Sequence, residues 1–256
     1  MDDRLRHLLI SLADRYETAA FLNNDPSWFM HQMTDARDQE TAAFLAMCLS
    51  YGSRRQFLPK IAQLLRMADG KPYDWIAGGG YEKDICPTPQ CFYRLYTCDD
   101  IYRLLTAIHE LFQQYGSLRS MAKDAATHAS SECTDVDSVL VAFSTFFRER
   151  GIKGLVPAPY TSACKRPCMF LRWMVRDESP VDLGLWSSFI DKAHLYIPLD
   201  THVMQTAARL KIADLKTAGW KAVSLLTTQM SVVFPGDPAR ADYALYGYDV
   251  AQKTKP

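Results

Sequence analysis

The 256-residue chain has no excess of either charge: 29 Lys and Arg stand against 29 Asp and Glu. Proteins that coat nucleic acid are often basic overall, so any phosphate contact here has to come from a local patch. No apolar run approaches the roughly 18 residues of a membrane span. The opening Met1-Asp2-Asp3-Arg4 lacks the basic-then-apolar order of an export signal, and a cytoplasmic location is expected. No C-x-x-C pair occurs among Cys48, Cys86, Cys91, Cys98, Cys133, Cys164 and Cys168. Their odd number in a long chain argues against a secreted disulfide scaffold. Cys86, Cys91 and Cys98 are grouped, but their gaps fit no zinc or iron–sulfur pattern, so no metal is expected. Reduced thiols packed among apolar neighbours are expected instead. Convincing period-two strands and hairpin turns are missing too.

What is present is helical periodicity in a chain of ordinary globular composition, 48% hydrophobic and 23% charged. Leu5, Leu8, Leu9 and Leu12 recur at helical spacing. Residues 40–51 predict a helix with Phe44, Leu45, Cys48 and Leu49 on one side, stopped by Gly52. Further helices are predicted over 57–67, 101–115 and 139–148. Gly78 through Pro89 reads as a loop, and residues 122–137 as a polar surface connection. The expectation is an all-α fold: one domain over residues 1–256, in two interlocked helical lobes with a central cleft.

Residues 148–176 break the charge balance. They hold Arg148, Arg150, Lys153, Lys165, Arg166, Arg172 and Arg176 against a single acid, Glu149. A solvated helix face usually mixes signs, so a one-sign cluster among apolar residues points to an anionic partner such as a phosphate backbone. The prolines in Gly154–Pro159 cannot continue a helix. A helix is therefore predicted to start near Arg166, with Pro167 in its first turn and Phe170, Trp173 and Met174 facing the core. Lys165 then sits at a helix mouth, where free N–H groups and the helix dipole favour an anion. Downstream, Ile197-Pro198-Leu199-Asp200-Thr201-His202-Val203 leads into another helix, with Asp200 as its natural N-cap.

The pair Ala163-Cys164-Lys165-Arg166 and Leu199-Asp200-Thr201-His202-Val203 resembles the helix-hairpin-helix DNA glycosylases with a Gly/Pro-rich loop and a conserved aspartate. With Phe170–Arg176 and Val181–Trp186, these stretches resemble an uncharacterised bacterial family attached to that superfamily. Weaker matches are Asn24-Asp25-Pro26, the helix end Leu49–Arg55 and Asp237–Leu245. The strongest part covers about residues 148–210. The resemblance departs at the hairpin, where Val156-Pro157-Ala158-Pro159-Tyr160 replaces the usual Leu-Pro-Gly-Val-Gly, so the glycines that let backbone approach phosphate are absent. The four-cysteine iron–sulfur loop of some members is missing as well.

The resemblance implies a helix-hairpin-helix glycosylase-like fold and cleavage of an N-glycosidic bond in base-excision repair, with associated lyase activity and no cofactor. Lys165 would attack the sugar C1′ and form a Schiff base. That requires a neutral amine, favoured by desolvation or by a neighbouring cation such as Arg166. Asp200 would stabilise the developing oxocarbenium charge. Asp182 is a possible second acid, unless it simply caps a short helix. The expected partner is duplex DNA with a damaged base, held by Arg54, Arg55, Arg148, Lys153, Arg166, Arg172 and Arg176. A base leaving the stack needs an aromatic pocket, for which Trp28, Phe29, Tyr51, Trp186 and Tyr246 are candidates. Two other readings compete: a catalytically silent nucleic-acid-binding module of the same fold, and a helical protein that binds another protein or a small anion.

Overall fold

A computed structural model describes residues 1–129 and 133–253. The chain is mainly helical. The described residues form twelve α-helices: α1 (Asp3–Tyr16), α2 (Ala36–Leu49), α3 (Arg54–Met67), α4 (Pro72–Ala77), α5 (Tyr81–Asp84), α6 (Cys98–Tyr115), α7 (Leu118–Thr127), α8 (Asp135–Glu149), α9 (Lys165–Val175), α10 (Thr201–Arg209), α11 (Trp220–Ser231) and α12 (Ala241–Lys253). Strands β1 (Cys91–Tyr93) and β2 (Tyr96–Thr97) pair antiparallel. The sequence pattern does not predict this small ribbon. Among the described residues no helix is long and apolar enough to cross a membrane.

The periodic segments fold as helices for the reason that revealed them: each buries an apolar stripe. Helix α2 is the exception to its expected one-sidedness. Every residue from Glu40 to Leu49 is buried, because the helix runs through the centre of the larger core with neighbours all round it. Capping fixes several helix starts. Thr97 with Asp100, and Thr134 with Asp137, form reciprocal boxes that open α6 and α8. The expected surface connection over 122–137 is a correction. Helix α7 extends to Thr127 and α8 begins at Asp135, while the part of that stretch at 130–132 lies outside the described residues. Within the expected Gly78–Pro89 loop, Tyr81–Asp84 makes one helical turn around the buried Tyr81.

Two apolar clusters organise the molecule. The larger is built from α2–α9 and the segment that follows α9. The smaller joins α1, α10, α11 and α12. Helix α12 lies along α1, and Gly247 permits the approach: a Cβ there would overlap the Tyr16 ring. Tyr196 and Trp220 touch both clusters.

Residues 176–200 link α9 to α10 without forming an α-helix, and they fold back over the end of α9. The N–H of Leu183 donates to the Trp173 carbonyl at 2.7 Å, and that of Trp186 to the Met174 carbonyl at 2.7 Å. These bonds satisfy carbonyls that a helix end leaves unpaired. Trp186 is fully buried, and its Nε1–H donates to Glu40 Oε1 at 2.9 Å. The expected aromatic pocket wall at Trp186 is therefore corrected to a core residue.

Candidate functional site

Helix α9 begins at Lys165 directly after Cys164, which adopts left-handed backbone (φ 49°) and provides no side-chain cap. Cys164 is held by its N–H donating to Ser162 Oγ at 3.0 Å and its thiol donating to the Pro157 carbonyl at 3.2 Å. Arg166 ties the preceding loop to α2: its guanidinium donates to the carbonyls of Cys48 (2.6 Å), Leu155 (3.2 Å) and Gly154 (2.5 Å). Two cations at a helix N-terminus oppose the dipole, so their placement is not a device for helix stability.

The returning chain brings Asp200 to this point. Its Oδ1 accepts the Val203 N–H at 2.9 Å and caps α10. Its Oδ2 lies 3.4 Å from Lys165 Nζ. Capping and lysine pairing are thus divided between the two oxygens of one carboxylate. Burial works to raise the Asp200 pKa, but the Lys165 charge and the Val203 N–H outweigh it. The carboxyl is held below its ordinary value.

Lys165 and Asp200 share a cleft of about 750 Å³ between the two helical groups, a volume suited to a nucleoside-sized ligand. One wall carries Tyr51, Arg54, Arg166 and Met169, and the other carries Asp242, Leu245, Tyr246 and Asp249 from α12. Those four α12 residues follow i, i+3, i+4, i+7 spacing and so form one helix face. Phe21 completes an aromatic corner, its ring 5.0 Å from that of Tyr246. The structure therefore places Tyr51 and Tyr246 in the cleft. Trp28 and Phe29 instead line a separate depression with Asn23, Asn24, Asp25 and Leu58.

Three expectations are corrected here. Arg172 and Arg176 are 2% and 3% exposed and so are not phosphate ligands. Arg172 pairs with Asp182 and Asp242, and Arg176 with Glu17, Asp182 and Asp237. Buried guanidinium groups demand such counter-charges, and the acids come from four separate places in the chain. Asp182 is not a second acid of the cleft. It is buried at 4% exposure, and it receives Arg172, Arg176 and the Tyr243 hydroxyl at 2.9 Å. Nor does it cap a helix. The basic run of 148–176 is also largely internal in its bonding, since Arg150 pairs with Glu110 at 2.6 Å and Arg166 with backbone. Its exposed members are Arg148 and Lys153, and Arg54 and Arg55 are exposed at the start of α3.

The residues missed from sequence are Phe21, Asp25, Asp242 and Asp249. Asp25 accepts from Ser27 N–H (3.0 Å) and Ser27 Oγ–H (2.7 Å), and pairs with Arg54 at 3.2 Å across the cleft edge. Asp25 and Asp242 both fall within short stretches that carry the family resemblance, Asn24-Asp25-Pro26 and Asp237–Leu245, and that was the available signal. His202 is exposed and lies 4.0 Å from Asp249. The thiols only partly match expectation: Cys48, Cys164 and Cys168 are buried, whereas Cys86, Cys91 and Cys133 are exposed.

The chain belongs to the family described as "Protein of unknown function (DUF2400)", whose model matches residues 25–251. No curated protein and no solved structure matches it.

Proposed function

We propose that the chain is a DNA glycosylase/lyase of the helix-hairpin-helix kind that removes a damaged base, with Lys165 as nucleophile and Asp200 as its carboxylate partner. The observation that carries this reading is the 3.4 Å approach of Lys165 Nζ to Asp200 Oδ2 inside a nucleoside-sized cleft. The two residues are 35 apart in the chain. The fold thus brings the starts of two helices, one carrying the lysine and the other capped by the aspartate, to the same cleft. A nucleophile and its carboxylate must share the space around one sugar.

The chemistry follows from the two groups. The Lys165 amine, once neutral, attacks C1′ as the N-glycosidic bond breaks, and ring opening gives a Schiff base that permits β-elimination of the strand. Asp200, held ionised by its partners, faces the positive charge that develops on the sugar. Tyr51, Tyr246 and Phe21 offer faces for a base outside the stack. Phosphates would stay on the rim, at Arg54, Arg55, Lys153 and Arg148. Inside the cleft Lys165 and Arg172 already have carboxylate partners. That pairing also favours a second reading, a binding cleft of the same fold without chemistry.

Borohydride trapping on DNA containing an abasic site or one of a panel of damaged bases separates the two. The expected result is a covalent adduct at Lys165 that Lys165→Gln abolishes without loss of DNA binding. Binding with no adduct on any substrate would leave the silent reading in place and remove the enzymatic one.

A further inference from the structure

Before α2 the chain makes two short 3₁₀ stretches, Ala19–Leu22 and Pro26–Gln32. Asn24 turns the chain between them in left-handed backbone (φ 60°), which asparagine tolerates better than most residues. Asp25 fixes the second stretch, its Oδ1 accepting from the N–H and hydroxyl of Ser27. Phe29 and Met30 enter the larger core, which leaves Trp28 on the outside, 43% exposed. Its ring stands edge-on to that of Phe29, with centroids 5.2 Å apart. The depression so formed holds about 350 Å³, and Leu58 of α3 and the exposed Asn23 and Asn24 line it as well. The side-chain amides of these two asparagines have no hydrogen-bond partner among the described residues.

A single exposed tryptophan means little, but this one has a particular setting. Asp25 lines both the depression and the Lys165–Asp200 cleft. Arg54 pairs with Asp25 at 3.2 Å, is 44% exposed, and lies 5.8 Å from the centre of the Tyr246 ring in the cleft. Leu58 follows one turn further along α3. An ion pair therefore separates the two hollows. A guanidinium carries several N–H donors, and the bond to Asp25 engages only Nη2. Resting on the nucleic-acid side of the reading above, we propose that the depression is a second base subsite. It takes the base next to the nucleotide held in the cleft, with Arg54 on the phosphate between them.

The parts match that ligand. A base has a flat π-face and a rim of donors and acceptors. Trp28 supplies exposed aromatic surface for the face, and stacking of this kind tolerates any sequence. An asparagine amide carries donors and an acceptor, so Asn23 and Asn24 can meet the rim. The linking phosphate is an anion, and Arg54 is the cation between the hollows. Asp25 does not repel it, because Ser27 engages its Oδ1 and Arg54 its Oδ2. A base in this depression has left its own stack and partner as well. The favoured substrate is therefore a strand opened over two adjacent nucleotides, rather than an intact duplex with one base displaced. Such opening costs least where the neighbouring base is mismatched or single-stranded.

The test measures binding of wild type, Trp28→Ala and Trp28→Phe to duplexes that carry a tetrahydrofuran abasic analogue. The base on each side of the analogue is in turn paired, mismatched or removed. In wild type a mismatched neighbour on one side should bind about tenfold tighter than a removed one, the scale of one base stacked on an aromatic side chain. A paired neighbour should also bind more weakly than a mismatched one. Trp28→Ala should erase these differences, and Trp28→Phe, which keeps an aromatic face, should retain most of them. Fluorescence gives a second readout. Of the five tryptophans, Trp75, Trp173 and Trp186 are buried and Trp220 is half-buried. Quenching by the mismatched-neighbour duplex should therefore be strong in wild type and largely lost in Trp28→Phe. Melting curves show whether the variants are folded, and the quenching comparison with Trp28→Phe decides the matter if Trp28→Ala is not. A neighbour effect that persists in folded Trp28→Ala, or binding indifferent to both the neighbour and Trp28, would overturn the subsite and leave the cleft reading standing. A Trp28-dependent preference without any Lys165 adduct would support the subsite while removing the enzymatic reading. Failure of the wild type to bind any of these DNAs would remove the nucleic-acid reading and the subsite with it.

Discussion

Replacing Asp182 by Asn tests whether this residue is structural or catalytic. Asp182 accepts from Arg172 Nε at 3.2 Å, from Arg176 Nη1, and from the Tyr243 hydroxyl at 2.9 Å. Asn keeps the shape and one acceptor but removes the charge between two buried guanidinium groups. Breaking a buried ion pair by removing one partner costs about 3–5 kcal/mol. The lower end applies, because Arg172 keeps Asp242, and Arg176 keeps Glu17 and Asp237. A loss of about 3 kcal/mol is a large fraction of a typical total stability of roughly 5–15 kcal/mol, and in a chain of this size it should lower Tm by roughly 10 °C. Calorimetry with parallel urea unfolding measures it. A folded Asp182→Asn protein with Tm within about 2 °C of wild type would refute the account of Asp182 as the hub of the network. Any loss of activity should also follow the loss of folded protein, since Asp182 reaches the cleft only through Arg172.

Two further outcomes are expected. Glu40 is 2% exposed, and burial pushes its carboxyl from an ordinary 4.5 up to about 7 despite the bonds from Trp186 and Arg119. With the folded value above the unfolded one, its stabilising contribution is full below about pH 4.5 and is lost as pH rises through about 7, a change on the order of 3 kcal/mol. Urea midpoints for Glu40→Gln should therefore lack this part of the decline between those pH values, and a slope identical to wild type would contradict it. If the chain binds DNA, charge reversal at Arg54, Arg55 and Lys153 should weaken it and flatten the log–log salt dependence by about 0.9 for each phosphate that is no longer neutralised. Reversal at Arg172 and Arg176 should unfold the protein instead. A folded Arg172→Glu, Arg176→Glu protein with selectively weakened DNA binding would reverse the assignment.

The legible parts of the fold were those whose signal is local. Helices α1, α3, α6 and α8 repeat apolar residues every three or four positions, and packing against one core face requires that pattern. Helix α7 is hidden because Lys123, Asp124 and Thr127 mask the stripe of Leu118, Met121 and Ala122, and their neighbours are polar as well. The β1–β2 ribbon is too short for alternation to register. Charge was the most misleading signal. The sequence shows the basic run of 148–176 plainly, but the acids that neutralise Arg172 and Arg176 sit at 17, 182, 237 and 242. Only the tertiary fold brings them there, so a run that looks like a surface patch becomes an interior network. The same blindness made Asp182 look like a site acid and hid Asp242.

That network also explains why the cleft has a defined shape. Arg172 and Arg176 belong to α9, in the larger cluster. Glu17 closes α1, and Asp242 and Tyr243 lie on α12, in the smaller one. Asp182 stands between them on the segment that returns the chain to Asp200. The ion pairs therefore fasten the two helical groups along the floor of the cleft, directly behind the residues that face into it. Apolar contact alone is tolerant of sliding, since it carries no directional requirement. A buried guanidinium with three acceptors is not, because displacement leaves a charge unpaired at low dielectric. The 3.4 Å approach of Lys165 to Asp200 depends on such fixing, for the two residues come from opposite sides of the junction. The cost of burying two arginines is thus tied to the geometry of the Lys165–Asp200 pair that faces the cleft.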